Sequence, residues 1–299
     1  MKPPDRSHEP SAARSFLYVP GDNQGMLARA LERDADAVIV DLEDGVRQAD
    51  KEAARKITAT WIADNHGTST DIWVRVNPSD ELLGSDLDAV VGPGLRGVYL
   101  PKAASSASIE LVSDALTDLE TSRGLPPNSI HIAPLLETAS SILEIPAIAS
   151  ASRVSHLALG ETDLAADLKM HPSLDGRELN PIRMAVVVAS AARCLKRPIA
   201  PVLTSFQDLE ALRSTSMMFR RMGYAGRAAI HPTQIKVIND AFSPSNTEIE
   251  SARDILARFE RAQAIGDAVT VAEDGSLIDE AVVRRARVTL DTARPGRSS

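Results

Sequence analysis

One cysteine in 299 residues leaves no partner for a disulfide within the chain and no set of thiolates for a zinc site. That residue, Cys194, lies in the apolar run AVVVASAARCL, where a buried structural thiol is expected rather than a nucleophile. Aromatic residues make up only 3% of the chain, so Ala, Val, Ile and Leu are expected to pack the core. Positive charge is outnumbered, 33 Lys and Arg against 41 Asp and Glu. A net charge of −8 argues against nucleic acid and against anionic membranes as general partners. An anionic metabolite can still bind if a local Arg or a metal ion supplies the missing charge. No window approaches the roughly 18 consecutive apolar residues of a membrane span. Residues 1–13, MKPPDRSHEPSAA, lack the apolar segment of a signal peptide and read as a disordered arm, with the cytoplasm as the expected compartment. Finally, no Gly-x-Gly-x-x-Gly follows a predicted strand, which removes the main reason to expect an open dinucleotide-binding sheet.

What is present is alternation. Short apolar runs at Ser15–Val19, Ala37–Val40, Asp71–Val76, Gly97–Leu100, His131–Leu136, His156–Leu159, Ile199–Leu203 and Ala228–Ile230 read as strands. Between them lie helical stretches; in one, Ala53, Ala54, Ile57, Trp61 and Ile62 fall on a single stripe. Strands this apolar do not face water, and strand–helix alternation with short connections means a parallel sheet covered on its faces. Eight such units predict a (β/α)₈ TIM barrel over residues 14–242. The tail, 243–299, reads differently: a helix over Thr247–Ile265, a hairpin turning at Asp274-Gly275, a helix over Glu280–Thr289 and a frayed end from Thr292. It is too short to bury a core of its own and is expected to be a helix-hairpin-helix lid on the barrel.

The unusual polar residues follow the predicted strands. Pro20-Gly21, Asp41, Glu43, Asp44, Arg75, Asn77, Lys102, Glu137, Asp163 and His231 all stand just past a strand end, where a TIM barrel builds its active site. Glu137 and Asp163 lie about one βα unit apart, with Gly160 between strand and carboxylate in the second turn. Each acid alone could simply sit in a helix first turn, favoured by the dipole. Together they can hold a hard divalent cation that keeps waters and accepts substrate oxygens. Backbone N–H groups near Gly160–Asp163 would add anion stabilisation. Arg75 suits a bidentate clamp on a substrate carboxylate, the alternative being an ion pair with Glu43 or Asp44. Asp41, Glu43 and Asp44 are expected to hold the metal's waters and Arg75; Asp44 with Lys51 reads equally as a surface pair. Lys102 is either a Schiff-base lysine or, beside a metal, an electrostatic group. His231 is as well suited to a structural hydrogen bond as to catalysis.

The motifs Arg14-Ser-Phe-Leu-Tyr-Val-Pro-Gly21, Val40-Asp-Leu-Glu-Asp44, Arg75-Val-Asn77, Leu100-Pro-Lys102, Leu136-Glu-Thr138, Ala158-Leu-Gly-Glu-Thr-Asp-Leu-Ala165 and Ile230-His-Pro-Thr-Gln234 occur in that order. In them the chain, from about Arg14 to Leu290, resembles the citrate lyase β-subunit-like proteins of the HpcH/HpaI aldolase group, with the malyl-CoA and citramalyl-CoA lyases. The resemblance implies a Mg²⁺-dependent barrel, with Mn²⁺ as a substitute. It implies an enzyme that makes or breaks a C–C bond between a 2-oxo acid and an acyl-CoA, working as a homo-oligomer, a trimer or hexamer. It also implies that Glu137 and Asp163 are the metal ligands, that Arg75 clamps the oxo acid, that Arg14 contacts the CoA phosphates and that Asp279 is the acid on the lid. Two stretches depart from the family. Ile199-Ala-Pro-Val-Leu-Thr-Ser205 lacks the acidic residues many relatives carry there, and the loop Lys169–Glu178 differs beside the metal turn. Rival readings on the same scaffold are a malyl-CoA thioesterase, a CoA-independent pyruvate aldolase and a subunit of a citrate lyase complex.

Overall fold

The computed structural model describes residues 13–173, 175–267, 269–272 and 275–293. Residues 1–12 of the expected arm (1–13), Asp274 of the expected hairpin turn and the last six residues lie outside them. The chain divides into two compact units, one of them Ala13–Phe242 and the other containing the chain from Ser243 onward.

Eight parallel strands close the first unit into a barrel: β1 (Ser15–Pro20), β2 (Ala37–Asp41), β3 (Asp71–Arg75), β4 (Leu95–Leu100), β5 (His131–Leu136), β6 (Ala158–Leu159), β7 (Ile199–Ala200) and β8 (Gly226–Ala229). β8 pairs back onto β1 with Phe16 opposite Ala228. The TIM barrel is therefore the fold. Helices shield the strands from water, and the β-branched residues of β2, Val38, Ile39 and Val40, are completely buried. Burying each such side chain stabilises the fold by about 1.5–3 kcal/mol.

One strand ends where the backbone chemistry requires. The seventh is predicted to run to Leu203 but stops at Ala200, because Pro201 has no N–H for the ladder. Between β1 and β2 the chain forms a short helix, Gln24–Leu27, and a 3₁₀ turn, Ala30–Arg33. The scarce aromatics are concentrated rather than absent from the core. Phe16, Trp73 and Tyr99 pack with His156 inside the barrel at ring separations of 5.1 to 6.4 Å. Tyr99 Oη and His156 Nε2 share a hydrogen bond of 2.8 Å within this cluster. Cys194 corrects the expectation of a buried thiol. The helix Asn180–Ala192 ends, Leu195 N–H closes back on Ser190 O, and the chain turns outward at Cys194, with φ 56° and the residue exposed.

The second unit holds the helix Asn246–Ala264, capped by the reciprocal pair Ser245 and Glu248, and a hairpin of β9 (Thr270–Val271) and β10 (Leu277–Ile278). It ends in the helix Glu280–Thr292. Phe259, Ile278 and Val283 form its small buried core. Among the described residues no helix is long and apolar enough to cross a membrane.

Candidate active site

The parallel ladder runs on past the strands and fixes the turns that follow. Gly21 N–H donates to Asp41 O, Leu42 N–H to Arg75 O, Val76 N–H to Tyr99 O and Gly160 N–H to Leu136 O. Asp41 and Arg75 are partners in register across β2 and β3. Register alone therefore sets them side by side. Arg75 donates Nε to Asp41 Oδ1 at 2.8 Å and Nη2 to Oδ2 at 2.6 Å. Its Nη1 reaches Glu43 Oε2 at 2.9 Å. The Asp41 carboxylate also accepts the N–H groups of Glu43 and Gly45, both at 2.9 Å. With four donors on two oxygens, Asp41 has no lone pair facing a metal. The ion-pair alternative for Arg75 is thus realised with Asp41 and Glu43, and three of its roughly five N–H groups are used. The others remain for a ligand.

Glu43 is also the partner of Lys102, whose Nζ lies 3.0 Å from Glu43 Oε1. That hydrogen bond raises the Lys102 pKa, the reverse of what a Schiff-base lysine needs. The role of Lys102 lies in its backbone as much as its charge. At φ 52° it turns its N–H onto Glu137 Oε1 at 2.7 Å. Asp44 is exposed. Lys51, read as its surface partner, is instead buried and donates to the carbonyls of Leu42 and Glu43 at 2.7 and 2.6 Å. It clamps the acidic turn from below. A signal for this was present, since a lysine in a helix first turn opposes the dipole and needs another reason to be there.

Asp41, Arg75 and Glu137, with Gly160 and Asp163, line a cavity of about 300 Å³ at the barrel mouth. Ile199, Ala200, Pro201, Val202, Ala228 and Ile230 give it an apolar wall where the stretch after β7 lacks acids. Glu137 is 3% exposed. Burial pushes its carboxyl up to about 7; the Lys102 N–H opposes that shift, and the charges of Glu43 and Asp163 add to it. A side chain at position 160 would collide with it, because a Cβ there would lie 2.5 Å from Glu137 Oε2. A buried carboxylate with one hydrogen bond, a second carboxylate at the same cavity and open space between suit a hard dication. Among the described residues no cluster of three or more His, Cys, Asp or Glu forms a closed cage. Water and substrate oxygens would complete the shell, as Mg²⁺ prefers.

Other expected residues are placed elsewhere. Arg14 precedes β1 and so stands at the opposite end of the barrel from Glu137. Its Nε and Nη2 lie on Asp36 at 2.8 and 3.2 Å. Arg14 thus stands with Asp36 before the strands, on the face opposite Glu137. His231 Nδ1 pairs with Thr233 Oγ1 at 2.7 Å, and its ring stacks on Phe206 at 4.9 Å. Asp279, in the second unit, caps the helix Glu280–Thr292 by accepting the N–H groups of Ala281 and Val282. Unforeseen in the sequence is Glu161, which lines the cavity and pairs with buried Arg183 at 2.6 Å.

Comparison with known proteins finds related chains. The family profile described as HpcH/HpaI aldolase/citrate lyase matches residues 14–232. The citrate lyase subunit beta of Leuconostoc mesenteroides is 30% identical over 282 residues, covering 94% of this chain and 93% of the relative. The (3S)-malyl-CoA thioesterase of Cereibacter sphaeroides is 33% identical over 296 residues, covering 96% of each. Among solved structures, the CitE protein of Mycobacterium tuberculosis in complex with magnesium, acetoacetate and coenzyme A superposes with a TM-score of 0.76. It is 28% identical, covering 94% of this chain and 98% of that one.

Proposed function

Because the chain belongs to the HpcH/HpaI aldolase/citrate lyase family, we propose that it is a Mg²⁺-dependent carbon–carbon lyase. It cleaves, or forms, a 3-hydroxyacyl-CoA such as malyl-CoA or citramalyl-CoA, giving a 2-oxo acid and an acyl-CoA. The observation that carries this reading is the buried Glu137 carboxylate, raised to about 7, at one cavity with Asp163 and Arg75. Glu137 and Asp163 would hold Mg²⁺ or Mn²⁺, which when bound stabilises negative charge on the substrate's hydroxyl or keto oxygen. Arg75 binds the substrate carboxylate through the N–H groups that Asp41 and Glu43 leave available. Its guanidinium cannot rotate away, because Asp41 grips one edge in bidentate fashion. The apolar wall from Ile199 to Val202 excludes water from the breaking bond. In cleavage the C2–C3 bond breaks, its electron pair passes to the thioester as an enolate, the hydroxyl loses its proton and C2 gains one. That proton must come from an acid, the role the sequence resemblance gives to Asp279. The enzyme acts as a cytoplasmic homo-oligomer, a trimer or hexamer, on small molecules.

A second reading has a specific observation behind it, the 33% identity to a (3S)-malyl-CoA thioesterase. Malyl-, citramalyl- and hydroxymethylglutaryl-CoA incubated with Mg²⁺ separate the two. A lyase gives an acyl-CoA and an oxo acid, a 2-oxo acid from malyl- or citramalyl-CoA and a 3-oxo acid from hydroxymethylglutaryl-CoA, whereas a thioesterase gives equal free CoA and intact hydroxy acid. Absence of both products from every ester would overturn the proposal.

A further inference from the structure

Arg183 is the one charged residue in the helix Asn180–Ala192, and it is 3% exposed. A buried guanidinium must be satisfied from all sides. Its Nε and Nη2 donate to Glu161 Oε1 and Oε2 at 2.6 and 2.7 Å. Nη1 donates to Asn180 Oδ1 at 3.0 Å and to Asp175 O at 3.3 Å. Cζ lies 4.7 Å from the centre of the Phe219 ring, and Tyr224 Oη donates to the Arg183 carbonyl at 3.1 Å. The loop around Asp175 closes over the guanidinium at Gly176. There φ is 58°, and a Cβ would lie 2.6 Å from Arg183 Nη2.

Glu161 opens the helix Glu161–Asp167, and Asp163 stands two residues on. Both carboxylates border the same cavity, so the bidentate hold of Arg183 on Glu161 fixes the first turn from which Asp163 faces it. The far end of this helix is tied as well, since Asp167 Oδ2 accepts the Ala139 N–H at 2.6 Å, two residues past Glu137. A buried ion pair is a poor source of net stability, and its better-founded use is to fix geometry. We propose that Arg183 is a positioning residue for the metal site: by locking Glu161 it holds the first turn of this helix so that Asp163 is presented to the cavity. The inference rests on the metal reading above.

The test is Mn²⁺ binding to the full-length, metal-stripped protein without substrate, followed by electron paramagnetic resonance, for wild type, Arg183→Met and Arg183→Lys. Charge and position predict opposite signs. Removing a cation near the site should tighten Mn²⁺ if only charge matters. Loss of positioning should weaken it about ten- to a hundredfold, the usual effect of removing a group that orients a ligand. Arg183→Lys keeps the charge without the fork, so its affinity should fall between the other two. Should Arg183→Met fail to fold, Arg183→Lys against wild type carries the test, with weaker binding expected at unchanged charge. Unchanged or tighter binding in the folded variants, even with a lowered Tm, overturns the inference alone. Failure of wild type to bind Mn²⁺ overturns the metal reading and the inference with it.

Discussion

Glu120 and Glu137 are the same side chain at opposite ends of one barrel, 1% and 3% exposed. Glu120 ends up over the strand starts, where it accepts from Asn128 N, Ile130 N, and both Nη1 and Nη2 of Arg153 at 2.8 to 2.9 Å. Burial alone would raise its pKa. The Arg153 hydrogen bonds, with those from Ile130 and Asn128, outweigh burial and hold it down to about 2. Glu137 lies past the strand ends with one N–H bonded to it and two more acids nearby, and it is pushed up to about 7. Arg14 with Asp36 repeats the satisfied arrangement at the first end. One end of the barrel meets its own electrostatic needs, and the other leaves a need for a ligand to meet. That division is how a TIM barrel separates stability from chemistry.

The largest effect should come from removing the incompletely paired acids. Glu137→Gln and Asp163→Asn should each lower kcat/KM with the preferred CoA ester by about a thousandfold or more, the several kcal/mol a metal contributes to a developing oxyanion. Steady-state kinetics with Mg²⁺ read this directly; turnover near wild type in either variant would break the comparison at its functional end. At the other end, Glu120→Gln strands the buried Arg153 and should lower stability by about 3–5 kcal/mol in urea unfolding. Catalysis by the remaining folded protein should be unaffected.

Acid and base should separate the two glutamates next. Glu120, depressed in the fold, contributes stability above about 4.5 that is lost as pH falls toward 2. Glu137, raised in the fold, contributes stability that is full below 4.5 in the metal-free protein and is lost as pH rises through about 7. Each window is worth up to about 3 kcal/mol. Unfolding of the metal-free protein across pH should lose the alkaline decline in Glu137→Gln and the acidic decline in Glu120→Gln. The smallest effect sharpens the contrast between the arginines. Arg75→Lys should lower kcat/KM by about 1.5–3 kcal/mol as a bidentate contact is lost. The same change at Arg153 should register in stability instead, and equal kinetic losses in both variants would contradict the division.

The eight strands were legible because a fully buried parallel strand is a short apolar run, although their ends were not, the seventh stopping at Ala200, and most site residues follow from standing just past such runs. Glu137, Asp163 and Arg75 at one cavity were readable on that basis. What was not readable depends on partners far apart in sequence. Arg14 belongs to a motif, yet its motif begins before the strand, so it falls at the other end with Asp36. Lys51 looked like a surface residue until the Leu42 and Glu43 carbonyls were seen above it. Arg183 is a lone charge in an apolar helix, which demanded a partner without saying that it was Glu161, 22 residues earlier. The aromatic cluster was hidden because a 3% average says nothing about where those rings meet.

The central claim is that Glu137 and Asp163 hold a divalent cation at the strand ends and that Glu120 has no part in it. Calorimetric titration of Mg²⁺ into metal-stripped wild type, Glu137→Gln, Asp163→Asn and Glu120→Gln tests this most directly. One site per chain in wild type, retained in Glu120→Gln and lost in the other two, is the predicted result. Unchanged Mg²⁺ binding in Glu137→Gln or in Asp163→Asn would contradict it.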